Sequence, residues 1–145
     1  MQALIFDLDG TLIDTVYAHV FAWQLALAEA GRAIEGLRPE INTSLEALGV
    51  GEETVIIERG DVSRAKPEPD LFLACQQRLG VRIEECYVVG DAVWDLLAAR
   101  RAGMLSIGLL SGGYGEDELS RADAFRVYRD PLELHRSLDE LGVLP

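Results

Sequence analysis

Two carboxylates, a glycine and a hydroxyl follow the first apolar segment of the chain, in the sequence Phe6-Asp-Leu-Asp-Gly-Thr-Leu12. Asp7 and Asp9 are two residues apart, so their side chains point the same way wherever the backbone is extended. Gly10 permits a sharp turn, and Thr11 offers a hydroxyl. Like charges at the end of a buried strand repel each other and lose hydration, so this segment predicts a compensating cation.

A second acidic pair, Asp91 and Asp95, follows the apolar segment Tyr87–Val89. The two residues are four apart across the start of a predicted helix, so they can share one face. If the two strand ends are neighbours, four carboxylates converge. Mg²⁺ suits such a cluster, because it takes one or two carboxylates, keeps several waters and binds a phosphate oxygen.

Lys66 lies in the polar sequence Ala65-Lys-Pro-Glu-Pro-Asp70, after a β-like segment and before a predicted helix. A single lysine is usually a solvated surface charge. This lysine precedes the helix that leads into the Asp91 strand, so it can reach a bound phosphate and the acidic residue that attacks it.

Short apolar segments alternate with helical patterns along most of the chain. Strands are predicted at residues 3–6, 55–57, 87–89, 104–110 and 127–128, and helices at residues 15–30, 69–79, 93–102 and 131–141. This alternation is typical of βαβ units. We therefore predict an α/β fold, a Rossmann-like three-layer α/β/α domain with a central parallel sheet, in which ligands bind outside the carboxyl ends of the strands.

The composition limits the partners of the chain. Its 145 residues, 49% of them hydrophobic, suffice for a single domain over residues 1–145. A net charge of −12 argues against nucleic acid and anionic membranes as partners.

Cys75 and Cys86 lack metal-ligand spacing and are expected to be reduced. Since no apolar segment approaches the ~20 residues that span a bilayer, we expect a cytoplasmic protein, as a monomer or weak homodimer.

Three segments together resemble the motifs of a known family. Phe6–Leu12, Lys66–Asp70 and Val89–Asp91, with Asp95 four residues further on, are similar to the first, third and fourth motifs of the haloacid dehalogenase (HAD) superfamily of phosphohydrolases. Residues 98–103 and 130–134 also resemble its phosphoglycolate phosphatase-like and β-phosphoglucomutase-like branch. The resemblance implies a Mg²⁺-dependent phosphatase that acts on a small phosphorylated metabolite.

The resemblance implies different roles for the first two aspartates. Asp7 would be the nucleophile that attacks phosphorus to give an aspartyl-phosphate, and it would also bind Mg²⁺. Asp9 would protonate the leaving alkoxide and later deprotonate the attacking water, with its backbone carbonyl on Mg²⁺. Dehalogenation is disfavoured, because a carbon–halogen displacement has no alkoxide that needs the acid Asp9.

The same resemblance implies the roles of the remaining residues. Asp91 would complete the metal site of Asp7 and Asp9, while Asp95 would bind through water or hold Lys66 and Asp91 in place. Lys66 would neutralise phosphoryl oxygens and keep Asp7 ionised. The substrate phosphate would be bound by Gly10, Thr11 and Lys66.

Two other functions stay open, and a third is disfavoured. A phosphomutase of the same superfamily uses nearly the same core. A non-catalytic binding module would keep the fold and the metal site without turnover. A receiver-type signalling domain also combines acids, Mg²⁺ and a lysine, but its lysine comes late in the chain, whereas Lys66 lies between the two acidic segments.

Residues 31–54 do not fit the family pattern. The second motif of the family, a Ser or Thr after an apolar strand, is not identifiable. Thr43 and Ser44 are the nearby candidates, but the sequence from Thr43 to Glu46 favours a helix capping box. Residues 15–44 resemble the remnant of a helical cap domain that is truncated or absent. We therefore predict a discontinuity of the chain near residues 31–44.

Overall fold

The computed structural model describes residues 2–8, 11–12 and 54–143. All of these except Thr54 belong to one compact unit. Within it, four parallel strands form a sheet whose spatial order follows the chain order. The strands are β1 (Ala3–Phe6), β2 (Cys86–Gly90), β3 (Leu105–Leu109) and β4 (Arg126–Tyr128). The predicted central parallel sheet is confirmed.

Helices accompany these strands: α1 (Asp70–Leu79), α2 (Val93–Ala102), α3 (Glu116–Arg121) and α4 (Pro131–Arg136). Gly80 ends α1 at φ 67°, and Gly103 ends α2 at φ 76°. Glycine adopts this left-handed conformation without the steric penalty of a Cβ atom. The two glycines therefore fix where both helices stop, as the sequence predicted.

Alternate residues of β2 pack on opposite faces of the sheet. Cys86 and Val88 lie in one buried cluster with Phe72 of α1. Tyr87 and Val89 lie in a second cluster, which includes Leu134 of α4. Because helices cover both faces, β2 is buried along its whole length. The predicted three-layer α/β/α arrangement is confirmed.

The register of β1 and β2 brings the two acidic segments together. Phe6 is paired with Val89, and the backbone N–H of Asp7 donates to the Val89 carbonyl at 2.8 Å. Because the two strands are parallel neighbours, they end at the same edge of the sheet. Asp7 and Asp91 therefore leave adjacent strand ends, which is the arrangement on which the predicted cluster depends.

Two predicted elements differ from the structure. Residues 55–57 form no strand, because the described strands offer this segment no pairing partner, and Ile56 is exposed. β-Branched residues alone do not make a strand without such a neighbour. The helix predicted over 131–141 is interrupted at Ser137, and a 3-10 helix (Leu138–Leu141) follows. Leu134 and Leu141, on either side of the interruption, pack into the same buried cluster.

Helix α3 occupies residues that the apolar pattern did not mark as helical. Its first turn contains three acidic residues, Glu116, Asp117 and Glu118. Negative side chains at a helix N-terminus interact favourably with the helix dipole. This cluster of acidic residues was the sequence feature that could have indicated the start of α3. The helix has a single buried residue, Leu119, so it shows no helical periodicity of apolar residues.

Several predictions lie outside the described residues and stay predictions. They are the helix over 15–30, the cap remnant over 15–44, the discontinuity near 31–44, the candidates Thr43 and Ser44, and the positions of Asp9 and Gly10.

Two composition-based expectations can be compared with the described residues. Among them, no helix is both long and apolar enough to cross a membrane. Cys75 and Cys86 are free thiols, as predicted, and Cys86 is buried.

Leu96→Ala should destabilise the fold far more than Leu105→Ala. Leu96 is fully buried in a cluster with Leu119 and Ala122, whereas Leu105 is 47% exposed. The cavity left at position 96 should lower the free energy of unfolding by about 2–5 kcal/mol. The matched change at position 105 should cost less than about 1 kcal/mol. Urea denaturation followed by circular dichroism measures both, and equal losses would contradict the core described above.

Candidate active site

Three carboxylates meet at the carboxyl ends of β1 and β2. Asp7 follows β1, Asp91 follows β2, and Asp95 lies in the first turn of α2. One oxygen of each carboxylate lies within 4.8 Å of the other two. Asp91 and Asp95 are buried, and Asp7 is half-buried. Two segments that are far apart in the chain therefore build one acidic cluster.

Lys66 supplies a positive charge to this cluster. Its Nζ contacts Asp7 Oδ1, and it lies 2.8 Å from Asp95 Oδ1. Burial lowers the pKa of Lys66, but the charges of Asp95 and Asp7 outweigh burial and hold that pKa above its ordinary value. The lysine is therefore a permanent cation near neutral pH, placed between two acidic residues.

The buried carboxylates resist ionisation. Burial raises the pKa of Asp91, although a hydrogen bond from Thr11 opposes the rise. Burial raises the pKa of Asp95 to about 6, against the opposing charge of Lys66. When all three carboxylates are ionised, one lysine leaves an excess of two negative charges. A divalent cation is the group that neutralises such an excess.

The donor set fits a hard cation. The three candidate ligands, Asp7, Asp91 and Asp95, are all carboxylates, and no cysteine or histidine joins them among the residues that the structure describes. Oxygen-only sets suit Mg²⁺ and Ca²⁺ rather than zinc or copper. Both oxygens of Asp95 already have partners, because Oδ1 faces Lys66 and Oδ2 accepts from the Ala92 N–H at 3.1 Å. Asp7 and Asp91 are thus the better placed ligands.

Thr11 contacts Asp91, a partner that the sequence analysis did not predict for it. Its hydroxyl donates to Asp91 Oδ1 at 2.8 Å, and its side chain is buried. The hydrogen bond fixes one oxygen of Asp91 and opposes the effect of burial on the Asp91 pKa. The predicted contact of Thr11 with a substrate phosphate stays a prediction.

Arg101 attaches the Lys66 loop to α2. Its guanidinium donates to the Pro67 carbonyl at 3.0 Å and to the Glu68 carboxylate at 2.7 Å. Because Pro67 directly follows Lys66, these bonds hold the lysine loop against the helix that contains Asp95. Sequence reasoning did not assign a role to Arg101, because the adjacent Arg100 has an identical side chain and the sequence does not distinguish the two. In the structure, Arg100 pairs instead with Asp123.

The structure is thus an α/β domain with a parallel sheet and an acidic cluster at the carboxyl ends of its strands. The profile of the HAD-hydrolase-like family matches residues 63–134. A hydrolase from Pseudomonas syringae is 34% identical and superimposes with a TM-score of 0.82, over 97% of this chain and 99% of that one. The chain therefore belongs to the HAD-like hydrolases.

Other relatives agree with the branch that the motifs resemble. Phosphoglycolate phosphatase of Escherichia coli (strain K12) is 39% identical over 88 residues, which are 59% of this chain and 35% of that protein. A HAD family hydrolase from Deinococcus radiodurans, whose crystal structure has bound phosphate and sodium, is 35% identical with a TM-score of 0.62, over 74% of this chain and 50% of that one. The phosphoglycolate phosphatase agrees with the branch that the motifs resemble, and this chain spans only about a third of that relative's length.

Lys66→Met should destabilise the metal-free protein strongly. The change leaves Asp7 and the buried Asp95 without a countercharge, so the free energy of unfolding should fall by about 3 kcal/mol. Arg64→Met is the matched control, because Arg64 is exposed and forms only surface ion pairs. Urea unfolding in EDTA measures both variants. If Lys66→Met were as stable as Arg64→Met, the lysine would not be neutralising the cluster.

Proposed function

We propose that this chain is a Mg²⁺-dependent phosphatase that hydrolyses small phosphorylated metabolites through an aspartyl-phosphate. The observation that carries the proposal is the contact of Lys66 with Asp7, inside a cluster of three carboxylates at adjacent strand ends. The similarity to a phosphoglycolate phosphatase supports the phosphatase part of this proposal. A cytoplasmic location and a monomer or weak homodimer stay predictions.

The first step transfers the phosphoryl group to Asp7. One carboxylate oxygen of Asp7 attacks phosphorus, and the bond between phosphorus and the ester oxygen breaks with its electron pair on that oxygen. The carboxyl group of Asp9 gives the leaving alkoxide a proton. Lys66, which contacts Asp7, offsets the charge of the phosphoryl oxygens. The products are an alcohol and an acyl phosphate on Asp7.

The second step hydrolyses the acyl phosphate. Asp9, now a carboxylate, takes a proton from water, and the water oxygen attacks phosphorus. The bond between phosphorus and the Asp7 oxygen breaks, which releases inorganic phosphate and restores the carboxylate of Asp7. Asp9 is again protonated, so both residues are ready for another substrate.

Asp7, Asp91 and the backbone carbonyl of Asp9 are the proposed Mg²⁺ ligands. When bound, the cation acts as a Lewis acid toward the phosphoryl oxygens. Asp95 orients Lys66 through their 2.8 Å ion pair. A protein with a net charge of −12 repels anions in general. Lys66 supplies local positive charge for an anionic substrate, and a cation held by the proposed ligands would add to it.

Hydrolysis of p-nitrophenyl phosphate tests the proposed nucleophile. We expect turnover with Mg²⁺, loss of turnover in EDTA, and a decrease of kcat by about 10³-fold or more in Asp7→Asn. Asp139→Asn is the matched control, because Asp139 is an exposed carboxylate in a terminal 3-10 helix. Its activity should equal that of the wild type.

The alternatives predict different results, in this assay or with sugar phosphates as substrates. Turnover that survives in Asp7→Asn would refute the assigned nucleophile. Absence of Mg²⁺-dependent turnover in the wild type would favour the non-catalytic binding module. With sugar phosphates as substrates, a phosphatase releases free phosphate, whereas a phosphomutase transfers the phosphoryl group to a second hydroxyl of the sugar.

Mg²⁺ should stabilise the folded protein without any substrate. A ligand at 100 times its Kd raises the free energy of unfolding by about 2.7 kcal/mol, because it binds only the folded state. Asp91→Asn removes a proposed ligand and should abolish this gain. Asp123→Asn should keep it, since Asp123 is exposed and pairs with Arg100. Thermal unfolding with and without Mg²⁺ measures the three proteins, and an equal gain in Asp91→Asn would exclude Asp91 as a ligand.

A further inference from the structure

Gly112 lies against Asp91, on the loop that follows β3. It is the last residue of a short 3-10 helix (Leu110–Gly112). A Cβ atom on Gly112 would lie 1.9 Å from Asp91 Oδ2 and 2.6 Å from the Asp91 backbone oxygen. Carbon and oxygen atoms that are not bonded do not approach so closely. No side chain therefore fits at position 112 while Asp91 keeps its place.

Asp91 has little room to move away from this contact. Asp91 as a whole is only 7% exposed, and the Thr11 hydroxyl donates to its Oδ1 at 2.8 Å. The backbone oxygen belongs to the turn between β2 and α2, so a change of side-chain rotamer does not relieve that part of the clash. A larger residue at position 112 must displace either the loop or the Asp91 carboxylate.

We propose that Gly112 is a positioning residue for the metal site. Because it has no side chain, the loop after β3 closes against Asp91. The loop and the Thr11 hydroxyl then hold the Asp91 carboxylate between them, with one oxygen in the cluster of Asp7 and Asp95. This inference rests on the proposed function, which makes Asp91 a Mg²⁺ ligand, and it adds a residue that none of the three sequence motifs contains.

The neighbouring glycine provides a matched control. Gly113 has φ 84°, and a Cβ atom there would meet nothing within 4 Å. Gly113→Ala therefore strains the backbone of the same loop without touching Asp91. Gly112 is not among the residues with positive φ, so Gly112→Ala adds the contact with Asp91 without that strain. The two variants separate a contact with the ligand from a general disturbance of the loop.

Isothermal titration of the full chain with Mg²⁺, in the absence of substrate, tests the proposal. Gly112→Ala should weaken Mg²⁺ binding by about 10- to 100-fold, the usual effect of losing a group that orients a metal ligand. Gly113→Ala should bind Mg²⁺ as the wild type does. Wild-type affinity in Gly112→Ala, or an equal loss in both variants, overturns the proposal. A wild type that binds no Mg²⁺ overturns the proposed function and this inference with it.

A second measurement tests the contact between position 112 and Asp91 even if Gly112→Ala folds poorly. Most of the close contacts of the added Cβ atom are with the Asp91 side chain, so Asp91→Ala should relieve them. Without metal, Gly112→Ala should lower the melting temperature less in the Asp91→Ala background than in the wild type. If Gly112→Ala alone does not fold, folding of the double variant with Asp91→Ala would likewise indicate that the two side chains clash. An equal decrease of the melting temperature in both backgrounds, or a double variant that does not fold, would contradict the proposed contact between position 112 and Asp91.

Discussion

The parallel pairing of β1 with β2 is the constraint on which the rest of the site depends. The hydrogen bond from the Asp7 N–H to the Val89 carbonyl, at 2.8 Å, continues this pairing one residue beyond the strand. Side chains alternate between the faces of a sheet, so a slip of one residue would turn Asp7 away from Asp91. The buried residues of β2, packed on both faces, prevent such a slip. The packing of the core therefore fixes the positions of Asp7 and Asp91 relative to each other.

The acidic cluster explains why so many other residues surround it. Carboxylates that are buried and close together oppose one another's ionisation, as the raised pKa values of Asp91 and Asp95 reflect. Lys66 compensates part of that charge, and Arg101 holds the lysine loop in place by donating to the Pro67 carbonyl. The cost of assembling like charges is offset by contacts from several separate segments. These contacts leave an excess of negative charge at the cluster.

Local sequence patterns predicted the elements that are decided locally. Apolar segments predicted β1 to β4, and glycines marked the ends of α1 and α2. The patterns failed where tertiary contacts decide the outcome. Residues 55–57 have strand-forming side chains but no partner strand among the described residues. The last helical segment is interrupted at Ser137, where no glycine or proline marked a stop.

By itself, the sequence determined the chemistry: the acids, the lysine, their order along the chain and the strand ends that they follow. Strand ends and side-chain types are local properties, so periodicity and motif spacing reveal them. Only the tertiary structure decided which groups touch. The Thr11 hydroxyl reaches Asp91 across 80 residues, Arg101 rather than Arg100 faces the lysine loop, and Gly112 lies against the Asp91 carboxylate. These contacts depend on how separate loops pack above one sheet edge, and no pattern within a single segment encodes that packing.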